Sequence, residues 1–224
     1  MKIVSFSGID GAGKTTQIHA LESWLHQAGQ RTTLLTFWDN VVVLPRFREF
    51  LSHKAFKGDQ GIGSPEKPLE RRDKNVTSLP VVAMRFFLYF TDAVSVCLKV
   101  RKLRGTDDDV VIFDRYIYDE LANLPLNYWL TRVFVRFVAG LVPKPDVAYV
   151  VDAEPTAAFA RKPEYPLEFL RSNREAYLTL SRITGDITVI EPLPVEVMAM
   201  KIREAFLREL PGAKEGFSQL PAVQ

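Results

Sequence analysis

The chain has 224 residues, 47% of them hydrophobic and 25% charged, with a formal net charge of +2 and a single cysteine. That length supports one sizeable core, so a single domain over 1–210 is expected; the near-balanced charge argues neither for nor against nucleic acid and leaves room only for a local basic surface, and no nucleic-acid partner is expected. The lone Cys97, in an apolar helical stretch, excludes an intramolecular disulfide and reads as a buried, inert thiol; with no run of about 18 uncharged apolar residues, no membrane partner is expected and a reducing cytoplasm is the implied setting.

Met1–Ser7 is apolar and strand-like, and it runs into Gly8-Ile9-Asp10-Gly11-Ala12-Gly13-Lys14-Thr15-Thr16. The spacing G-x-x-x-x-G-K-[ST] is complete from Gly8 through Gly13, Lys14 and Thr15. Residues without a Cβ let the chain curl tightly and offer its N–H groups to an anion, and the following helix aims its positive dipole end at the same spot. Lys14 adds a point charge that can follow a phosphate, and the Thr15 hydroxyl suits a Mg²⁺ held between phosphates. The predicted nucleotide-binding set is therefore Gly8, Asp10, Gly11, Ala12, Gly13, Lys14, Thr15 and Thr16.

Residues 14–28 form an amphipathic helix by pattern, with Ile18, Leu21, Leu25 and Ala28 on one face and Gly29 as its stop. Arg31 to Phe37 reads as a second buried strand, and strand–helix–strand predicts a parallel sheet. Trp38-Asp39-Asn40 follows at the carboxyl end, where such sheets bind ligands. A helix is expected over Val41–His53, carrying Arg46 and Arg48, then a mobile loop over 57–75, long enough to be a lid or disordered.

Ser78-Leu79-Pro80 opens a long apolar helix running to Leu103. Its Arg85, Phe87, Tyr89 and Asp92 can reach a site, although core packing is the commoner use of such aromatics. Asp107-Asp108-Asp109 precedes a strand, at the end away from the chemistry, and reads as a solvated turn. Val110–Phe113 is a buried strand ending in Asp114-Arg115-Tyr116. An acidic residue there can hold Mg²⁺ through water, and Arg115 can fork onto a phosphate; the competing reading is a structural ion pair. Leu126–Leu141, with Arg132 and Arg136 four apart, suits a core or interface helix with snorkelling arginines better than a membrane-surface helix.

Pro145–Asp152 is a further strand, Thr156–Arg161 a short helix, and 161–167 a short basic lid. Leu167–Arg182 is helical with Arg171 and Arg174 on one face, Ile187–Ile190 is the last strand and Val195–Leu210 the last helix, before a fraying tail over 211–224. Five apolar strands alternating with helices predict an α/β fold: a three-layer α/β/α sandwich around a five-stranded parallel sheet, of P-loop NTPase/kinase type.

With these motifs in place, the chain resembles the thymidylate kinase family from end to end. The phosphate loop Phe6–Gln17, Asp114-Arg115-Tyr116, Pro145-Asp146 with Val151-Asp152, Glu168-Phe169, Arg174-Glu175-Ala176-Tyr177-Leu178 and Val189-Ile190 carry the likeness. The resemblance implies ATP-dependent phosphorylation of a nucleoside monophosphate, dTMP first, with ATP and Mg²⁺ as cofactors, and a homodimer through helices beside the sheet. It implies that Lys14 and the loop amides hold the ATP phosphates, that Thr15 and Asp114 hold the metal, and that Asp10 faces the acceptor's sugar hydroxyl. Arg115 would bridge the acceptor phosphate and the transferring group. Relatives with no arginine in the phosphate loop place one in the lid, which makes Arg161 the candidate here, with Arg171 and Arg174 behind it. Lys14, Arg115 and Arg161 are thus the expected catalytic residues, and Asp10, Trp38, Tyr89 and Arg115 the expected acceptor site.

Three features depart from the family. Its Arg-Glu-Pro after the second strand is Phe37-Trp38-Asp39 here, its aromatic-then-arginine pair on the long helix falls at Tyr89 and Ala93, and the lid is short. Two further readings of the same residues are a P-loop kinase for another small-molecule acceptor and a non-catalytic NTP-binding regulatory module.

Overall fold

The computed structural model describes residues 1–42 and 79–209. The helix expected over Val41–His53 with Arg46 and Arg48, apart from its first two residues, lies outside them, as do the 57–75 loop and the 211–224 tail. The described elements are β1 (Lys2–Ser7), α1 (Lys14–Gln27), β2 (Thr32–Thr36), α2 (Phe37–Asn40), α3 (Leu79–Leu103), β3 (Val110–Asp114), α4 (Ile117–Leu121), α5 (Trp129–Leu141), β4 (Val147–Val151), α6 (Pro155–Arg161), α7 (Leu167–Thr184), β5 (Ile187–Ile190) and α8 (Val195–Glu209).

The strands form one parallel sheet in the order β2-β3-β1-β4-β5, with Val4 opposite Ile112 on one side and Val147 on the other. Strands β1, β3 and β4 read as near-continuous apolar runs because helices cover both of their faces. Ile3, Val4, Phe6, Val110, Val111, Ile112, Phe113 and the whole of β4 are buried accordingly. Helices α1 and α8 pack on one face, and α3, α4, α5 and α7 group on the other. Since β3 and β4 flank β1 on opposite sides, the carboxyl ends of the three central strands open beside the loop that follows β1.

Several expectations change. Strand β2 is the sheet's edge, with only Leu35 buried and Leu34 exposed, because it has a single hydrogen-bonded neighbour. Phe37 is no longer strand but begins the one-turn α2. Cys97 is half-buried rather than buried, its thiol 3.5 Å from the Leu141 carbonyl oxygen, and partial burial raises its pKa. Asp109 does cap the β2 side of its turn, accepting the Arg31 backbone N–H at 2.9 Å, while Asp107 is in water.

One described helical stretch, Val81–Leu103, is long and apolar enough to cross a bilayer by length and composition, although Arg85 and Asp92 interrupt its apolar run. Its charged residues Arg85 and Asp92 are buried on the inward side, while Phe87, Phe90, Val94 and Leu98 are exposed. Phe86 stacks on Phe134 and Phe90 on Phe137, so α3 and α5 share one apolar outer face that continues through Trp129, Leu130 and Val133.

Candidate active site

The loop between β1 and α1 is shaped by close backbone approach. Gly8 has φ +136° and Gly11 φ +80°; a Cβ on Gly8 would lie 2.5 Å from the Val151 carbonyl oxygen, and one on Gly11 2.4 Å from that of Ala158. Both the dihedral and the space therefore demand glycine. These contacts press the loop against the end of β4 and against α6, which delivers Arg161 from its last turn. Helix α1 starts at Lys14 with no acidic residue in its first turn, so its positive end is left for an external anion.

The Lys14 ammonium donates to the carbonyl oxygens of Gly8 at 2.9 Å and Ile9 at 2.8 Å. Burial first, then the neighbouring Arg115 charge, lowers its pKa to about 8 from 10.5, against the opposing pull of Asp10, Asp119 and Asp114.

A cleft of about 540 Å³ opens above the loop. Asp10, Gly11, Gly13, Lys14, Thr15 and Thr16 form its floor, Asp114 and Arg115 one wall, and Arg161 and Lys162 another. Gly8 and Ala12 do not line it: Gly8 lies against the end of β4 and Ala12 is buried beneath the loop. Asp114 and Thr15 share the cleft, and the Asp114 carboxylate makes no hydrogen bond or ion pair among the described residues. A carboxylate and a hydroxyl free to take a hard cation together with water fit Mg²⁺.

Arg115 stands at φ +70°, a left-handed backbone that a non-glycine residue rarely adopts. Its N–H continues the sheet pairing to the Phe6 carbonyl oxygen at 2.9 Å, and the turn that follows lifts its side chain into the cleft. The guanidinium donates to Asp10 at 2.5 Å and to Asp119 at 2.9 Å. Burial opposes its charge, but Asp119, Tyr177 and Asp10 outweigh burial and hold it more firmly protonated than an ordinary arginine. The ion pair of the competing sequence reading is formed, to Asp119 and Asp10, and Arg115 still lines the cleft.

The three lid arginines separate. Arg161 lines the cleft, its Nη1 3.9 Å from where a Cβ on Gly13 would stand, and forms no ion pair among the described residues. Arg174 is held in a fork by Asp152 at 2.7 Å to each oxygen and by Glu154 at 3.1 Å. Arg171 pairs with Glu168 at 2.7 Å in water. Neither of these two lines the cleft.

The remaining acceptor candidates are not brought to this cleft. Trp38 is 40% exposed on α2 with its ring edge-on to Phe37, and Tyr89 is buried within α3. Arg85 is also buried, donating to the Asn123 carbonyl oxygen at 3.2 Å. A second cavity, of about 470 Å³, lies between the 122–127 loop and α7, and none of the predicted site residues lines it. Asp119 and Tyr177 are absent from the sequence-derived site. The available signal was spacing: Asp119 falls four residues after Arg115, on the helix that Asp114-Arg115-Tyr116 opens.

No protein-family model matches the chain. Among curated proteins it is similar to a probable thymidylate kinase of Pyrobaculum aerophilum, with 28% identity over 93% of this chain and 97% of that one. A probable thymidylate kinase of Methanosphaera stadtmanae matches at 24% identity over 92% and 98% of the two chains. Over nearly its whole length the chain is similar to thymidylate kinases, at low identity. A crystal structure of the Ehrlichia chaffeensis thymidylate kinase superposes with a TM-score of 0.57 at 16% identity, covering 92% of this chain and 98% of that one. That likeness bears on the fold, a P-loop kinase sheet with its phosphate loop after the first strand.

Proposed function

We propose that this relative of the thymidylate kinases is an ATP-dependent nucleotide kinase that passes the γ-phosphoryl group of ATP to a nucleoside monophosphate, dTMP being the first acceptor to test. The observation that carries the reading is the convergence of three cations from distant parts of the chain, Lys14, Arg115 and Arg161, on one cleft above a phosphate loop. Phosphoryl transfer spreads negative charge over the oxygens of the moving group and asks the protein for positioned cations rather than covalent help.

In this reading the loop amides and the α1 terminus bind the donor's phosphates, and Lys14 turns from the Gly8 and Ile9 carbonyls toward them. Arg115 exchanges its Asp10 contact for the acceptor's phosphate, which leaves Asp10 for an acceptor hydroxyl. Arg161 reaches over Gly13 to the transferring group and takes the part of a lid arginine. Thr15 and Asp114 would hold Mg²⁺, which when bound neutralises donor-phosphate charge and fixes its geometry. The apolar outer face shared by α3 and α5 supports pairing of two copies, for which light scattering should report twice the chain mass; a monomer would remove that part of the proposal.

The decisive assay couples ADP release to NADH oxidation across a panel of nucleoside monophosphates and unphosphorylated acceptors. Stimulation by a monophosphate, with dTMP among the best, is the expected result. ADP release that no acceptor stimulates would overturn the kinase reading.

A further inference from the structure

The Asp114–Arg115 wall of the cleft rests on a carboxylate that does not itself line it. Asp119, in α4, is 2% exposed, and four donors converge on its two oxygens. The Ser7 hydroxyl, from the end of β1, donates to Oδ2 at 2.6 Å, and the Tyr116 backbone N–H to the same oxygen at 3.2 Å. The Tyr177 hydroxyl, from α7, donates to Oδ1 at 2.7 Å, and Arg115 Nη1 to the same oxygen at 2.9 Å. One buried side chain therefore ties the donor strand, the turn after β3, and the helix after the lid to the guanidinium that faces the cleft.

The two edges of Arg115 are unequal. Nη2 reaches Asp10, whose side chain is 17% exposed and lines the cleft, so an incoming phosphate can displace that contact. Nη1 reaches Asp119, whose side chain is buried and already accepts from three further donors. A guanidinium pinned at one edge and exchangeable at the other keeps its fork aimed while its partner changes, which a freely rotating side chain cannot do. The left-handed backbone at Arg115 sits in the same arrangement, because the Asp119 carboxylate closes the turn onto the Tyr116 N–H.

We propose that Asp119 is the positioning residue of the acceptor side: it holds Nη1 of Arg115 throughout turnover, so that Nη2 alone exchanges between Asp10 and the acceptor phosphate. This deepens the kinase reading above and rests on it for its kinetic consequence.

The test joins kinetics to a signal that needs no turnover. In ¹⁵N NMR of the full chain, the Arg115 guanidinium should show restricted rotation and slowly exchanging Nη1 protons, both alone and with MgATP. Asp119→Asn, which keeps an acceptor for Ser7 and Tyr116 and removes the charge, should free that rotation. It should lower kcat/KM for the acceptor about a hundredfold while leaving the Kd for MgATP within about twofold. In an Arg115→Lys background, which has no fork to hold, the same substitution should cost less than about threefold. A freely rotating Arg115 in the unsubstituted chain would overturn the proposal, even if Asp119→Asn did not fold. So would a folded Asp119→Asn chain with unchanged acceptor kinetics, or equal losses in both backgrounds. If the unsubstituted chain transferred no phosphoryl group, the kinase reading would fail, while the NMR result would still decide whether Asp119 pins Arg115.

Discussion

The two sides of the cleft are built in different ways. The side proposed to hold the donor is backbone: a loop of consecutive residues, its amides and a helix terminus, held in shape because Gly8 and Gly11 let it lie against Val151 and Ala158. The side proposed to hold the acceptor is side chains: Arg115 gripped between Asp10 and Asp119, with Ser7 and Tyr177 behind. A backbone site is specified over a few residues and tolerates change elsewhere in the chain. A side-chain site depends on four separate segments arriving together, so a single substitution on that side should disturb one function and spare the other.

The largest separation is expected for Lys14→Ala. Turnover should fall about a thousandfold. Its melting temperature should be unchanged or raised, since the lost group is a buried ammonium whose charge the fold disfavours. Stopped-flow turnover beside a thermal melt checks this, and equal loss of both would remove Lys14 from its role. Arg115→Ala comes next, with a fall in acceptor kcat/KM of about a hundredfold or more and a MgATP Kd within about twofold. If donor affinity fell as far as acceptor use, the division between the two sides would not hold.

A smaller, reversible version of the first experiment uses pH. The folded pKa of Lys14, about 8, lies below the ordinary value of 10.5, so between those values the folded chain carries fewer protons than the unfolded one. The lysine's contribution to stability therefore improves as pH rises through that window. Polyphosphate binding, which needs the ammonium, runs the other way: calorimetry should find MgATP affinity falling about tenfold from pH 7 to pH 9. A flat profile would mean that Lys14 keeps its proton in the empty loop. The smallest effect belongs to Arg171→Ala, whose exposed pair with Glu168 is far from the cleft; kcat/KM should move by less than about twofold. Arg161→Ala, on the cleft, should lower kcat at least tenfold, and a reversal of that order would exchange the two arginines' roles.

Much of this was legible along the chain. The phosphate loop was readable because its residues are contiguous and each has a local reason, and the strands because central parallel strands bury both faces. What failed to show was context. The run Arg31–Phe37 looks like any buried strand, yet β2 has a neighbour on one side only and keeps Leu34 in water. Arg171 and Arg174 share a helix face in sequence, but Asp152 and Glu154 claim one of them and Glu168 the other. In α3 the pattern of apolar residues conceals which side faces in, since Arg85 and Asp92 are buried and Phe87 and Leu98 are not.

The amino-acid sequence by itself determined the parallel α/β sheet and the glycine-shaped loop after its first strand, because hydrophobic periodicity and glycine geometry act over a few neighbouring residues. Only the tertiary structure decided which arginines face the cleft and what holds them. Asp119 meets Ser7 and Tyr177 across separations of 112 and 58 residues. Such a contact forms only when the sheet and its helices have closed around it, so no local pattern in the chain carries it.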